Sequence, residues 1–247
     1  MKNLSLIFII FLSVFNLIQA ETISVDYKVE FGIVGEIGVA HAKLTKNDDN
    51  SYVIDIKLET TGIAKTLSGD RRERHISKGH IENGIMVSDL YQIIKTHGSK
   101  LNDRVYIIDH KNKKVTREDK KYKNGKLYKE RTKVMDDYSK DDLLTLYFNL
   151  NSYIKDKNIS KDYRFHAVGA EIQDGFVDIH IPNKRELKKY KKLLGKNASW
   201  YARAIVNQNI FSSDKGELFL SIGKDGITKK AILKDLIFFG DIRAFRI

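Results

Sequence analysis

Seven histidines are the first residues to weigh as metal ligands or bases: His41, His75, His80, His97, His110, His166 and His180. Only His75 and His80 are close, and a separation of five suits neither one strand face nor one helix face. No metal site is expected from them. The chain contains no cysteine, which excludes thiol catalysis and a disulfide framework. It also lacks a Gly-x-Ser-x-Gly elbow, a phosphate-binding glycine loop and a His-Glu-x-x-His pair. The carboxylates of Asp136, Asp137, Asp141 and Asp142 cluster, as acid/base work or a cation would need. They also immediately precede a helical pattern, where free N–H groups and the helix dipole stabilise negative charge, and capping accounts for them. The expectation is a non-enzymatic protein without a cofactor. An envelope hydrolase is the remaining enzymatic alternative, and it has no recognisable nucleophile to carry it.

Two surface patterns carry weaker chemistry. The segment KRELKKYKKLLGK sets Leu187, Tyr190, Leu193 and Leu194 on one side of a helix, with Lys184, Lys188, Lys189, Lys191 and Lys192 around the rest. A basic amphipathic helix can lie on an anionic membrane, so these lysines are candidate anionic-surface contacts. The plainer reading is that the leucines cover a sheet and the lysines are solvated. The second pattern, Asp156-Lys157-Asn158-Ile159-Ser160, resembles the extended acceptor of bacterial N-glycosylation, with an acidic residue two before the asparagine. Asn158 is the candidate acceptor, in polar connecting sequence, whereas Asn197-Ala198-Ser199 has Gly195 in place of the acidic residue. Arg71, Arg72 and Arg74 could meet phosphate, but alternate strand faces keep them from forming one patch.

The elements that position these residues are mostly strands. Val25, Tyr27, Val29 and Phe31 alternate with Ser24, Asp26, Lys28 and Glu30, the signature of a half-buried strand. Gly32, Gly35 and Gly38 predict a bend before a strand through Val39, His41 and Leu44, and residues 47–50 predict a turn before Tyr52, Ile54, Ile56 and Leu58. Further strands are expected near 72–81, 86–95, 105–110, 120–134, 163–171, 176–181, 200–206, 217–222 and 227–247, with a short helical piece at 63–67. The clearest helix starts at Ser139, paired with Asp142 as a capping box, and repeats Leu143, Leu146, Tyr147, Leu150, Tyr153 and Ile154 at helical spacing. Another follows Pro182, with Asn183 as cap, Glu186 three residues on and Gly195 as stop. The fold class is therefore mainly β: a strongly curved antiparallel sheet, or half-barrel, wrapped around the central helix. Twisted strands coil, and the concavity so formed needs apolar filling. Leu143, Leu146, Leu150 and Ile154 are the candidate lining of that concave face.

Residues 1–20, MKNLSLIFIIFLSVFNLIQA, read as a cleaved secretory signal peptide: a positive Lys2, an apolar run from Leu4 to Ile18, and Ala20 before a polar switch at Glu21. Residues 21–247 are expected to form a single β-rich domain, because a lone proline and no Gly/Ser/Pro-rich stretch leave no linker. The expected destination is the periplasm. With no thiol to take lipid, the mature chain is expected to be soluble rather than a lipoprotein, without an anchor after cleavage. The net charge of +12 then points away from nucleic acid and toward anionic envelope components, unless lysine-rich composition alone accounts for it.

The order of landmarks resembles bacterial exported proteins catalogued as domain of unknown function 3108. The features that carry the resemblance are the tyrosine strand and glycine-rich step Tyr27–Gly35 (YKVEFGIVG), Thr61-Gly62 before a short helix, Asp137 and Ser139 in MDDYSKDDLLTLYFNL, and Gly240 in IFFGDIRAFRI. Where that family usually has a Gly-Thr-Phe-like step, this chain has the basic segment 182–195. The resemblance implies a half-barrel like that of periplasmic lipoprotein carriers, with a concave apolar surface, and no established activity. The functional expectation is a soluble periplasmic binding or interaction protein whose partner is an envelope protein, a lipid or an anionic surface. Its alternative is a carrier that holds a lipid or other apolar ligand in the concave sheet, each buried CH₂ contributing about 0.8 kcal/mol.

Overall fold

The computed structural model describes residues 21–32, 34–207, 215–236 and 240–247, so the expected signal peptide lies outside the described residues. The strands are β1 (Glu21–Phe31), β2 (Gly35–Lys46), β3 (Ser51–Thr60), β4 (Arg72–Glu82), β5 (Ile85–His97), β6 (Lys100–Asp109), β7 (Lys114–Lys123), β8 (Lys126–Met135), β9 (Lys161–His166), β10 (Phe176–Ile181), β11 (Trp200–Asn207), β12 (Lys215–Ile222), β13 (Thr228–Leu236) and β14 (Gly240–Arg246). The helices are α1 (Gly62–Leu67), α2 (Leu143–Tyr153) and α3 (Lys184–Leu194), with a 3₁₀ turn at Glu171–Gln173.

These strands form one antiparallel sheet in the order β8-β7-β6-β5-β4-β3-β2-β1-β14-β13-β12-β11-β10-β9. The order is a meander opened at one point. β1 and β14 pair in its middle, Tyr27 opposite Arg246 and Phe31 opposite Ile242, while β8 and β9, consecutive in sequence, are the two outer strands. The chain between them passes through α2. An isolated parallel bridge between Asp142 and Val168, together with Ser139 Oγ donating to the His166 carbonyl at 2.7 Å, ties the flanks of the two edges together.

The core sits where α2 meets the sheet. Leu146, Leu150 and Ile154 pack among Ile179, Trp200, Ala202 and Leu220 of β10–β12. Leu144 and Phe148 lie against Leu44, Tyr52, Ile54 and Met86 of β2, β3 and β5, and Leu143 with Leu144 meets Tyr91, Tyr106 and Val115 of β5–β7. One helix reaches both flanks only if the sheet curls around it, which is what cumulative strand twist produces. On the opposite face, α3 packs Tyr190 and Leu194 against Tyr201, Phe219 and Ile232. These alternate along β11 and β12 with the inward residues Trp200, Ala202, Leu220 and Ile222, as the period of a strand requires.

Four local expectations change. Asp142, not Ser139, caps α2: its carboxylate accepts from the Leu144 and Thr145 amides at 2.7 and 3.0 Å, and Ser139 is engaged by His166 instead. The strand expected near 120–134 is a hairpin, turning at Asn124 and Gly125 with φ of 52° and 74°, the left-handed pair that a tight two-residue turn needs. The strand expected near 163–171 stops at His166, and Glu171 opens the 3₁₀ turn. The run expected over 227–247 divides into β13 and β14, with residues 237–239 outside the described residues.

Candidate functional site

The position of α2 is set by two buried aspartates. Asp142 has no exposed surface, and its carboxylate accepts five hydrogen bonds: from Ser77 Oγ and Ser88 Oγ at 2.5 Å each, Thr145 Oγ1 at 3.0 Å, and the Leu144 and Thr145 amides. Tyr52 Oη lies 2.7 Å from Thr145 Oγ1 and extends the cluster to β3. Burial pushes the Asp142 pKa up, and the serine and amide donors offset part of that. Both serines are buried and donate to the Asp142 carboxylate, and so anchor the helix to β4 and β5. Asp141, 7% exposed, accepts from Asn149 Nδ2 and Tyr153 Oη at 2.8 Å each, and burial pushes its pKa up to about 6. Asn149 also exchanges hydrogen bonds with the backbone of Met86, at 2.8 and 3.2 Å, in the manner of a strand neighbour. The polar side of α2 is thereby fastened to β3–β5.

Its other side faces β10–β12 and leaves space. A pocket of about 830 Å³, open mouth included, lies between Leu143, Leu146 and Leu150 of α2 and Ile179, Ala204 and Leu220 of the sheet. Ala204, a small side chain, is part of its sheet-side wall. Ile172, 70% exposed, stands at the mouth on the 3₁₀ turn. The single polar side chain in the lining, Tyr147, is committed elsewhere: its hydroxyl donates to Thr228 Oγ1 and accepts from the Thr228 amide, both at 2.9 Å. Setting aside the part open to solvent, about 240 Å³ remains, a little below the usual range of small-molecule pockets, and the lining presents no free polar side chain among the described residues.

Three of the four candidate concave-face residues, Leu143, Leu146 and Leu150, line this pocket; Ile154 does not, being wholly buried in the core against the same strands. Lys184, Lys188, Lys189, Lys191 and Lys192 are all exposed, and on its apolar side α3 packs Tyr190 and Leu194, with partly buried Leu187 and Leu193, against the sheet. Asn158 is exposed in the turn after α2. Arg71, Arg72 and Arg74 pair separately with Glu73, Asp70 and Asp55, at 2.7, 2.7 and 2.8 Å. The nearest approach to a histidine pair is His80 and His110, which share the Asp89 carboxylate at 3.0 and 3.1 Å. Among the described residues no group of three metal-ligating side chains forms.

Sequence patterning did not single out where the charge concentrates. Residues 111–133 hold eleven Lys and Arg against three Asp and Glu, a surplus of eight out of the net +12, and they fold as β7, β8 and their flanking turns. Register places Lys95, Asn102, Lys121 and Lys129 in one row across β5–β8, Ile93, Arg104, Asp119 and Arg131 in the next, and Tyr91, Tyr106, Arg117 and Lys133 in a third. Tyr91 and Tyr106 belong to the core, so all three rows lie on the concave face. Arg104 and Arg117 share Asp119, at 2.5 and 2.8 Å, and Lys95 pairs with Glu73 at 3.0 Å. The signal was a run of lysines around Asn124-Gly125, recognisable only once a hairpin is assigned there.

No protein-family model matches the chain, and no curated protein matches it. A solved structure is similar: a β-barrel-like protein of domain of unknown function 1849 from Brucella abortus, with a TM-score of 0.50 and 10% sequence identity over 92% of this chain and 95% of that one. At this identity the likeness is one of fold, an antiparallel, barrel-like sheet.

Proposed function

We propose that this protein is a non-enzymatic binding protein of the periplasm that takes an acyl chain or similar apolar ligand into the pocket between α2 and β10–β12. The observation that carries the reading is the pocket lining, in which the only polar side chain is already satisfied by Thr228. Such a cavity offers a ligand burial of alkyl surface and little else. A chain of about ten methylenes gains about 8 kcal/mol on burial; several kcal/mol offset lost freedom, so binding on a roughly micromolar scale is expected. The assignment to the periplasm rests on the leader-like first twenty residues.

Fluorescence titration with the uncharged probe N-phenyl-1-naphthylamine tests this. Saturable enhancement is expected, displaced by long-chain alcohols. Ala204→Phe, which fills the pocket, is expected to weaken it about tenfold while costing about 1–3 kcal/mol of stability. Unaltered probe binding in a folded Ala204→Phe variant would overturn the reading. A second reading, docking of an envelope protein, is favoured by the outer strand β8, where Leu127, Tyr128 and Val134 are 48%, 58% and 49% exposed.

A further inference from the structure

The apolar pocket and the cationic rows of the concave face meet at one turn of chain. Ala170 and Ile172 line the pocket, and Glu171 between them reaches Arg117 Nη1 of β7 at 3.5 Å. At this junction Tyr106 Oη is buried without a hydrogen-bond partner among the described residues, beside Arg117, whose Nε pairs with Asp119 at 2.8 Å, and Glu171, whose Oε1 faces Arg117 Nη1. An unpartnered hydroxyl inside a protein is costly, and it marks a place where a polar partner fits. Beyond it the concave face continues as a groove of about 300 Å³ along Ile93, Asn102, Asp103, Arg104, Asp119 and Lys121. Charge along this groove is unbalanced. Asp119 and Glu171 compensate Arg104 and Arg117. No ion pair engages Lys121, Lys129 or Arg131 among the described residues, although register sets Lys121 beside Lys129 and Arg131 one row away.

Lysines on a sheet edge commonly serve only to block strand addition. That accounts for Lys129 and Arg131 on the outer strand β8, but not for Lys121 on β7, which is paired on both sides. From Arg117 to Lys121 is four residues along β7, about 13 Å at the rise of a strand.

We propose that the ligand of the apolar pocket is an amphiphile with an anionic, phosphate- or carboxylate-like head, its chain against α2 and its head against Lys121, Lys129 and Arg131. The proposal deepens the pocket reading and rests on it. The acidic side chains at the junction, Asp119 and Glu171, repel such a head and direct it past them toward the uncompensated cations.

The test is competition against N-phenyl-1-naphthylamine, at low ionic strength, by dodecyl phosphate, by uncharged dodecyl glucoside and by inorganic phosphate. Dodecyl phosphate is expected to displace the probe about tenfold more effectively than the glucoside, and the advantage is expected to shrink with added salt. Lys121→Gln, Lys129→Gln and Arg131→Gln together are expected to erase that advantage and leave glucoside competition intact at an unchanged melting temperature. Equal competition by phosphate and glucoside, or an advantage that survives the triple variant, would overturn this proposal and leave the pocket reading standing. Direct calorimetric binding of inorganic phosphate as tight as that of dodecyl phosphate would also overturn it, by assigning the cations to free anions. Failure of every dodecyl ligand to displace the probe would overturn both.

Discussion

Asp141 and Asp142 are adjacent, and the fold gives them different work. Asp142 is the acceptor on which Ser77, Ser88 and Thr145 converge, so Asp142→Ala removes the α2 cap and three hydrogen bonds from buried hydroxyls. A loss of about 3–5 kcal/mol is expected by urea denaturation; a loss below about 1 kcal/mol would show that the cluster does not anchor the helix. Asp141 is a pH element. Its folded pKa of about 6 lies above the unfolded value of about 3.9, so the folded state binds the proton more tightly, and this group's stability contribution is lost as pH rises from about 4 to 6. Asp141→Asn cannot ionise. Its stability relative to the parent is therefore expected to rise across that window, by about 2 kcal/mol, and then level off. A difference that stays flat from pH 4 to 7 would contradict the assignment. Capping was readable from these aspartates' place before Leu143. Their partners were not, since Ser77 and Ser88 lie more than fifty positions away.

At the scale of elements, α3 is the best-read segment and the most easily misjudged. Asn183, Glu186 and Gly195 mark its ends as expected, and the capping box is complete, with Asn183 Oδ1 accepting from the Glu186 amide at 3.0 Å and Glu186 Oε2 from the Asn183 amide at 2.9 Å. Its leucine face looks the same in sequence whether it meets a bilayer or a sheet. Only the register of β11–β13 supplies Tyr201, Phe219 and Ile232 as the surface it covers. Leu194→Ala is expected to cost about 3 kcal/mol and Asn183→Ala about 1 kcal/mol. Replacing Lys184, Lys188, Lys189, Lys191 and Lys192 by Gln is expected to leave thermal stability within about 0.5 kcal/mol. A large melting-temperature loss in that last variant would mean the lysines have partners beyond solvent. The β7–β8 turn shows the opposite failure: polar residues run through positions 120–134, and without an apolar period the Asn124-Gly125 signal was the only punctuation.

Across the whole molecule, stability is expected to be uneven. The described core gathers around α2, where Tyr52, Ile54, Tyr91 and Tyr106 are essentially unexposed, while β8 is an outer strand whose residues are mostly exposed. Amide hydrogen exchange is therefore expected to be slowest in β3–β5 and the second half of α2, and fastest among strands in β8. Protection in β8 equal to that in β4 would imply a partner on its open edge. The mainly β class, the curvature and the central helix followed from strand alternation and one strongly periodic helix, because those periods are local properties of the chain. Strand order is not local. That β1 pairs with β14, that β8 and β9 end up as the two edges, and that the cations of β7 and β8 face the same concavity as the apolar pocket depend on which distant segments pair. Sequence by itself determined which residues want to be buried and in what rhythm. Only the tertiary structure decided where burial stops short, because the pocket lies between Ala204 of the sheet and a helix held in place by Asp142 and Asn149 on its other side.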